Sequence, residues 1–512
     1  MIVVYHQNNK VVEVSDANKD LTFLNKNIAQ TLFEIANAFP EELVIWCHID
    51  LKSNLNFSEF QTIFHHQKIM ASYNPFQNSF LSDAIGYVEE SPFLNINKKV
   101  TYPTWLMSSC VGGIQASVLL ALKEEISVSD EFDYFLLSLA KSLMPKGLLC
   151  YSEPKLLNGV FKQAKINKKS NIVLFRFVNQ HNRTRKTFLL FLNLFLYERK
   201  IPLLSLVLSL FYFQRRLKNN LLDNIEVQST KKVVESGTID VIIPTIGRKE
   251  YLYDVLKDLS QQTHLPENVI IVEQNPNKES VSELDYLKNE IWNFGIKHIF
   301  THQAGACNAR NLALAEVKSE WVFLNDDDNR FKNDLIEKTF KNCIKYGSEV
   351  ASNSYLKLNE KKEDNEVIQS AIFGSGNSFL RSRLLDVVSF RKGFEFGYGE
   401  DSDFGMQLRN FGADVLYFPT PEIVHLSAPF GGFRTKPVLA WSLEDVQPKP
   451  SPTVMLYKLL HLNKKQICGY KTVLFFKFYK MQPIKNPIRY FYNFRKQWKI
   501  SLYWANQLKD KK

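Results

Sequence analysis

The sequence contains few cysteines, and they are scattered along the chain. Six occur among 512 residues. None of them has a close partner, so the spacing gives neither a zinc knuckle nor a disulfide framework. We therefore expect the protein to work in a reducing compartment.

Long apolar runs are also lacking. The first ten residues have no basic region followed by an apolar run, so we expect no secretory signal. The segment Phe188–Phe213 resembles a membrane span, but the polar stretch Tyr197-Glu198-Arg199-Lys200 and Pro202 divide it into two runs of roughly ten residues, each too short to cross a bilayer. Two interpretations stay open: a helical hairpin buried between domains, or a segment on a membrane surface, flanked by the basic residues at 215–218.

Acidic residues are outnumbered by basic ones. The chain has 64 Lys and Arg against 53 Asp and Glu, a net charge of +11. This balance favours anionic partners such as nucleotide phosphates, acidic lipids or nucleic acid, although a basic protein need not use its charge. The length, with a hydrophobic content of 45%, predicts two or three folded units.

The second half of the chain alternates between strand and helix patterns. A polar stretch at 219–237 indicates a linker. Apolar, β-branched runs then predict strands, and apolar residues at helical spacing predict the helices between them. This alternation predicts an α/β fold with a parallel sheet, whose functional groups lie at the carboxyl ends of the strands. The expected strands are 239–243, 268–273, 321–324 and 415–418, and the expected helices begin near 252, 309 and 404.

Two segments of the first half repeat the outline of segments in the second half. Residues 29–50 resemble 309–328, and residues 131–154 resemble 401–421. We expect residues 1–155 to be a diverged, non-catalytic copy, because His48-Ile49-Asp50 stands where the second half has three aspartates. A second active domain and a chance match between short amphipathic stretches are the alternatives.

Three aspartates, Asp326, Asp327 and Asp328, follow the apolar strand Trp321–Leu324 after a single asparagine. Because alternate residues of an extended segment point the same way, we expect Asp326 and Asp328 to converge. Carboxylates this close repel one another unless a cation lies among them, which indicates a metal-binding or donor-binding site. An ordinary acidic turn is the alternative.

Four further motifs accompany the triplet. They are Val241-Ile-Ile-Pro-Thr245 with Arg248, Gly305-Ala-Cys-Asn-Ala-Arg-Asn311, Gly374-Ser-Gly-Asn377, and Gly397-Tyr-Gly-Glu-Asp-Ser-Asp403. Together, over about residues 238–430, they resemble the catalytic domain of family 2 glycosyltransferases. The resemblance implies the GT-A fold, a mostly parallel sheet flanked by helices, and transfer of a sugar from a nucleotide-diphosphate sugar.

The same resemblance implies which residues bind the donor. Glu273 stands where the family usually has an aspartate that recognises the nucleobase, so uracil is only the first expectation for the base. Arginine suits a diphosphate because its planar fork donates hydrogen bonds in pairs. The donor-binding residues implied are Pro244, Thr245, Arg248, Glu273, Arg310, Asn311, Asp326 and Asp327.

The resemblance also implies the catalytic, acceptor-binding and metal-binding residues. Asp401 corresponds to the catalytic base and Glu400 to a residue that orients the acceptor, at the start of a helix whose N-terminus favours ionised carboxylates. Helix capping by Asp401 and Asp403 is the alternative. The loop beneath the acceptor corresponds to Gly376 and Asn377, and a Mn²⁺ or Mg²⁺ cofactor would be held by Asp326, Asp328 and His425.

The C-terminal segment Tyr470–Lys512 interleaves basic and aromatic residues. Such mixing is compatible with nucleic-acid binding. No recognised nucleic-acid motif accompanies it. Helices packed on the catalytic domain or lying on an anionic membrane fit better, and we expect no nucleic-acid partner.

These patterns predict four segments: a diverged GT-A-like domain at 1–155, a basic and apolar connector at 156–235, a catalytic domain at 236–435, and a helical extension at 436–512. The function expected is inverting transfer from a UDP-sugar to a saccharide or lipid-linked saccharide in cell-surface polysaccharide synthesis. A nucleotidyltransferase and a non-catalytic scaffold that binds carbohydrate or membrane are the alternatives. The expected location is cytoplasmic, with peripheral attachment to the inner membrane left open.

Overall fold

A computed structural model describes residues 1–16, 26–76, 79–123, 125, 131–161, 170–362, 364–429 and 438–510. The chain divides into two compact units. The first comprises Met1–Lys231 with Asn463–Leu474, and the second comprises Lys232–Leu462 with Phe475–Lys512. The expected connector therefore belongs largely to the first unit, and the expected C-terminal extension is divided between the two. Each unit has its own sheet with helices, which confirms the predicted α/β class.

The first unit is built on a seven-stranded sheet. Its strands are β1 (Ile2–Gln7), β2 (Lys10–Asp16), β3 (Leu43–His48), β4 (Ile69–Tyr73), β5 (Tyr102–Pro103), β6 (Val111–Gln115) and β7 (Leu149–Ser152). Its helices are α1 (Ile28–Ala38), α2 (Phe60–Ile63), α3 (Ala116–Leu122), α4 (Phe132–Leu143), α5 (Asn171–His181), α6 (Arg185–Glu198) and α7 (Leu203–Ser209).

The second unit is built on a nine-stranded sheet. Its strands are β8 (Ile239–Thr245), β9 (Asn268–Gln274), β10 (Gly295–Thr301), β11 (Trp321–Asn325), β12 (Asn329–Phe331), β13 (Val350–Lys357), β14 (Ile368–Gln369), β15 (Asn377–Arg381) and β16 (Leu416–His425). Its helices are α8 (Lys249–Ser260), α9 (Tyr286–Asn289), α10 (Ala306–Leu314), α11 (Leu335–Tyr346), α12 (Glu400–Phe411), α13 (Pro452–His461) and α15 (Pro487–Lys509). Helix α14 (Lys464–Met481) contributes residues to each unit. Within the described ranges, no helix is long and apolar enough to cross a membrane.

The predicted strands and helices of the second unit are present, with shifted ends. Strands β10, β9, β8 and β11 are parallel neighbours, while β15 runs antiparallel to β11 and β13. The apolar positions of α8 at Leu252, Val255, Leu256 and Leu259 are all fully buried, as their helical spacing predicts. Burial of β8 and β11 on both faces explains their continuous apolar sequences and places their carboxyl ends side by side.

Six strands of each sheet have the same order and the same directions. The order across the sheet is β1-β3-β6-β4-β7-β5 in the first unit and β8-β11-β15-β13-β16-β14 in the second. In both units, the six strands counted along the chain therefore lie side by side in the order first, second, fifth, third, sixth and fourth. The successive pairings are parallel, antiparallel, antiparallel, parallel and antiparallel in both. The two pairs of similar segments lie on equivalent elements, α1–β3 with α10–β11 and α4–β7 with α12–β16. Shared topology over six strands supports the internal repeat that the sequence predicts.

Candidate active site

A cavity of about 640 Å³ opens in the second unit, where β8 and β11 end. This is the edge at which ligands bind in open α/β sheets. The wall also includes the loop before α10, the loop before β15 and the start of α12. Most of the predicted site residues line it: Pro244, Thr245, Arg248, Arg310, Asp326, Asp327, Asp328, Gly376, Asn377, Glu400, Asp401 and His425.

The three aspartates do not alternate as residues of a strand do. Strand β11 ends at Asn325, and Asp327 and Asp328 lie in a turn before β12, so the period of an extended strand does not apply to them. Asp327 accepts hydrogen bonds from Thr245 Oγ1 and Arg248 Nη1, each at 2.7 Å. Burial raises the pKa of Asp327 to about 6, although Arg248 and Thr245 oppose the rise. Asp327 therefore holds the loop after β8 against the end of β11.

Asp326 belongs to a different set of contacts. One of its carboxylate oxygens accepts a hydrogen bond from Arg310 Nη2 at 2.9 Å, and the other accepts one from the Tyr355 hydroxyl at 3.0 Å. A Cβ added at Gly376 would lie 2.2 Å from Asp326 Oδ2, so the loop before β15 needs glycine here. Asp326 and Asp328 were expected to converge, but in the structure each carboxylate has its own partners.

Asp328 and His425 are brought together at the end of β16. Asp328 Oδ1 lies 3.4 Å from His425 Nε2, and Asp328 Oδ2 accepts a hydrogen bond from the Ala428 amide at 2.8 Å. Burial disfavours the charge of Asp328, but His425, this amide and Arg248 together hold its pKa below the ordinary value. The hydrogen bond to Asp328 raises the pKa of His425.

Two of the three expected metal ligands therefore meet. Asp328 Oδ1 is buried and faces His425 Nε2 at 3.4 Å, so this oxygen and the imidazole nitrogen together offer two ligands for a cation. No group of three His, Cys, Asp or Glu side chains in the described ranges can hold a metal alone. The set differs from the expected triplet because Arg310 and Tyr355 take the oxygens of Asp326. A divalent ion here would need oxygens from a bound ligand to complete its coordination.

Glu400 and Asp401 open helix α12 against the far side of the cavity. Burial and the charge of Asp401 raise the pKa of Glu400. Burial also raises the pKa of Asp401, while Arg310 and hydrogen bonds with Ser375 act against the rise. Glu400 Oε2 and Asp401 Oδ1 have no hydrogen-bond partner within the described part of the chain. Both carboxyls are thus poised to accept a proton or a hydrogen bond from a ligand.

Asp403, the third acidic residue of the Glu-Asp box, points away from the cavity. It is fully buried and accepts hydrogen bonds from Arg391 Nη1 at 2.9 Å and Gln407 Nε2 at 2.8 Å. His461 Nε2 lies 2.7 Å from the same carboxylate. These contacts attach α12 to the end of α13, so Asp403 fixes the position of the helix that carries Asp401.

Two residues expected to bind the donor lie outside the cavity lining. Glu273 ends near His298, whose Nε2 lies 2.8 Å from its carboxylate, and it accepts a hydrogen bond from the Glu283 amide at 3.1 Å. Asn311 makes a two-way hydrogen bond with the backbone of Phe390, at 2.7 and 2.9 Å. In the structure both side chains join neighbouring segments of the fold instead of lining the cavity.

Sequence reasoning missed three residues that organise the site. Tyr355 stacks on His425 with ring centroids 4.9 Å apart while its hydroxyl holds Asp326. Glu395 accepts hydrogen bonds from the Cys307 and Asn308 amides at 3.0 and 2.9 Å, so a carboxylate already occupies the N-terminus of α10. Ser375 holds Asp401. The sequence signalled only Ser375, by its place in the Gly-Ser-Gly loop.

One family model matches part of the second unit. The model described as Glycosyl transferase family 2 matches residues 240–398. The matched region begins in β8 and contains the aspartate triplet, Arg248 and Arg310. It ends two residues before Glu400, so Asp401 and His425 lie beyond it.

Individual relatives match a limited part of the chain. An uncharacterised glycosyltransferase of Rickettsia conorii is 29% identical over 149 residues, which cover 29% of this chain and 24% of that protein. Glycosyltransferase GlyA of Streptococcus pneumoniae is 25% identical over 130 residues, covering 24% of this chain and 18% of that protein. The chain therefore spans a quarter or less of the length of these curated relatives.

Solved structures match at low identity. Staphylococcus aureus TarS 1-349 in complex with UDP-GlcNAc is 15% identical, covering 46% of this chain and 70% of that chain with a TM-score of 0.33. GalNAc-T7 with UDP, GalNAc and Mn²⁺ is 13% identical, covering 37% of this chain and 44% of that chain with a TM-score of 0.32.

Proposed function

We propose that the second unit, in which residues 240–398 match the Glycosyl transferase family 2 model, moves a sugar from a nucleotide-diphosphate sugar, first of all a UDP-sugar, to a hydroxyl group. The observation that carries the proposal is the single cavity that joins the aspartate triplet, two arginines and the Glu400-Asp401 pair. A transferase needs cations for the diphosphate and a base for the incoming hydroxyl, and this cavity contains candidates for both.

The donor diphosphate would lie between Arg248 and Arg310. Arg310 is 7% exposed, and its Nε has no hydrogen-bond partner among the residues described, so a phosphate oxygen could accept from it. Pro244 and Thr245 border the same space, while Asp326 and Asp327 keep the two guanidinium groups in place. Glu273 and Asn311 would then act on the donor through the segments that they anchor.

Asp328 and His425 would hold a divalent cation, Mn²⁺ or Mg²⁺, while the oxygens of Asp326 stay with Arg310 and Tyr355. When bound, it would neutralise charge that develops on the departing diphosphate. The residues themselves support this assignment, because the buried carboxylate oxygen Oδ1 of Asp328 faces the imidazole nitrogen of His425 at 3.4 Å.

Asp401 would serve as the base. Its carboxylate takes the proton of the acceptor hydroxyl, the hydroxyl oxygen forms a bond to the anomeric carbon, and the nucleoside diphosphate leaves with the electrons of the old bond. Attack opposite the leaving group inverts the anomeric configuration. Glu400, Gly376 and Asn377 border the cavity as well. We propose that they bind the acceptor, a saccharide or a lipid-linked saccharide used in cell-surface polysaccharide synthesis.

The proposal assigns no transfer activity to the first unit. His6 lies near the end of β1, and burial lowers its pKa to about 4, so it is neutral at pH 7. Asp50 alone remains of the three carboxylates, and its side chain is exposed. A site without paired arginines or an acidic triplet is poorly suited to a diphosphate, which supports a diverged, non-catalytic copy. A cytoplasmic location is part of the proposal, since the six cysteines are free.

The test is nucleotide release from a panel of UDP- and GDP-sugars, with candidate acceptors, in Mn²⁺ or in EDTA. We expect metal-dependent release that Asp328→Ala lowers by about 10²-fold or more, and that the control Asp50→Ala leaves unchanged. Release that persists unchanged in Asp328→Ala would remove the metal assignment. A lack of both release and calorimetric UDP binding by the wild type would overturn the donor assignment.

A further inference from the structure

Helices α6 and α7 of the first unit turn apolar side chains outward. Leu204 is 66% exposed, Phe211 77% and Phe213 90%. Phe195, Leu196 and Leu203 are exposed as well. A helix at a water-facing surface normally buries its apolar side chains and exposes its polar ones, so a continuous apolar face of this kind marks an interaction surface. We call the exposed apolar residues between 188 and 213 the outer face.

The inward side of the same helices carries polar residues beside three core leucines, Leu190, Leu194 and Leu206. Thr187 and Asn193 of α6 are completely buried, and Ser205 and Ser209 of α7 are almost completely buried. In α7 both serines are buried together with Leu206, whereas Leu203, Leu204, Val207 and Leu208 are exposed. Most apolar side chains of α7 thus face outward, which is expected where the surroundings of a helix are more apolar than its contact with the rest of the protein.

Hydrogen bonds hold the buried polar groups of these helices in place. Asn179 Nδ2 donates to the carbonyl oxygens of Ser209 and Tyr212, at 3.0 and 2.9 Å. Thr187 donates to Asn179 Oδ1 at 3.3 Å, and Asn193 Oδ1 accepts from Thr472 at 2.7 Å. These hydrogen bonds fix the orientation of α6 and α7, so the same side chains stay exposed on the outer face.

We propose that the outer face inserts into one leaflet of an anionic lipid bilayer and holds the first unit on the membrane surface. Helix α6 has 14 residues, which is about 21 Å of helix, and α7 has seven. Neither length covers a hydrocarbon core of about 30 Å, so the pair lies in the interface and does not cross it. This inference goes beyond sugar transfer and does not depend on it.

The charges around the outer face select an anionic surface. Arg183 and Arg185 stand exposed at the start of α6, Arg199 and Lys200 at its end, and Arg216 after the outer face. Glu198 is the one acidic residue in the sequence between 171 and 218. It pairs with Lys200 and Lys465, at 2.7 Å each. Basic residues that border an apolar face favour acidic head groups, while a soluble partner would not require both features.

The test is flotation of the full chain with vesicles of phosphatidylcholine alone, or of phosphatidylcholine with about one third phosphatidylglycerol. We expect wild-type protein to float with the anionic vesicles and to remain bound in about 0.5 M NaCl, because salt screens charges but not apolar insertion. The double variant Phe211→Ser/Phe213→Ser should partition at least about tenfold less, since two large apolar side chains no longer leave water.

The matched control is Phe57→Ser/Val160→Ser, which removes two exposed apolar residues elsewhere in the same unit. It should float like the wild type, and both double variants should keep the wild-type melting temperature. Equal flotation of the Phe211/Phe213 variant and the wild type would overturn the proposal. So would a wild-type protein that stays unbound with both vesicle compositions.

A second variant separates charge from insertion. Arg183→Glu/Arg185→Glu should lower binding to anionic vesicles several-fold at low salt, whereas the control Lys98→Glu/Lys99→Glu, two exposed residues distant in sequence, should not. Light scattering without lipid tests a second copy of the chain as the occupant. A dimer that the Phe211/Phe213 substitutions dissociate, with vesicle binding unaltered, would replace the bilayer by a protein interface.

Discussion

The two units build the same six-strand arrangement around different chemistry. Asp133 is the second residue of α4, as Asp401 is of α12. Asp133 accepts a hydrogen bond from the Ser109 amide at 2.9 Å, and Asp401 is held by Ser375. Both serines stand two residues before their strands, β6 and β15. The position of the proposed base therefore exists in both halves of the chain.

The two units differ in the side chains at the ends of their strands, where a diphosphate would bind. The second unit has Arg248 and Arg310 beside its aspartates, while the first has His6 and His48 at its strand ends. The helices diverge in the same way: the fourth residue of α12 is the buried, ion-paired Asp403, and that of α4 is the core residue Phe135. Strand order survives such changes because it depends on apolar burial, whereas chemistry depends on side chains at loop and helix ends.

The sharpest test of this comparison exchanges the two equivalent aspartates for asparagine. Asp401→Asn should lower kcat by about 10³-fold, because the acceptor hydroxyl loses its base. Asp133→Asn in the first unit should leave kcat within about twofold. Steady-state transfer assays on both variants, with UDP binding by calorimetry to establish an intact donor site, measure this. A comparable loss in Asp133→Asn would mean that the first unit takes part in transfer.

A second test uses glycines in the equivalent regions. Gly376→Ala places a Cβ 2.2 Å from Asp326 Oδ2. Gly112→Ala in β6 places one 2.3 Å from the Trp46 ring and 2.6 Å from the Ala71 carbonyl oxygen. We expect Gly376→Ala to lower kcat/KM by about tenfold or more with little change in stability. Gly112→Ala should lower the free energy of unfolding by about 1–3 kcal/mol. Denaturant unfolding and transfer assays on both variants measure these effects. A loss of stability in Gly376→Ala with a loss of activity in Gly112→Ala would contradict the comparison.

The smallest expected effect is a shift in the pH profile. Burial raises the pKa values of Glu400 and Asp401, and an ionised base is required, so activity should fall as pH decreases through a pKa above that of a free carboxyl group. Glu400→Gln removes a neighbouring negative charge, and the acid limb of its residual activity should move to lower pH. The pH dependence of kcat measures this. A limb that stays in place would show that Glu400 and Asp401 do not interact.

Sequence patterns predicted much of the second unit. The strand at 321–324 and the helix near 404 are present because apolar periodicity reports burial, which each element satisfies locally. His425 was expected after the strand Val415–Phe418, but β16 continues through it and so aims it at the site. The first unit, far weaker in motif content, was still recognisable from two segments whose outlines repeat.

The sequence by itself determined the alternation of strands and helices and the carboxylates at their ends, because periodicity and turn residues act over a few neighbouring positions. Tertiary structure alone decided which carboxylate meets which cation: Arg310 and Tyr355 take Asp326, Arg248 takes Asp327, and His425 takes Asp328. Tertiary structure also decided that Glu273 and Asn311 lie outside the cavity lining and that the apolar outer face of α6 and α7 is exposed. These outcomes depend on side chains distant in sequence, whose contacts no local pattern encodes.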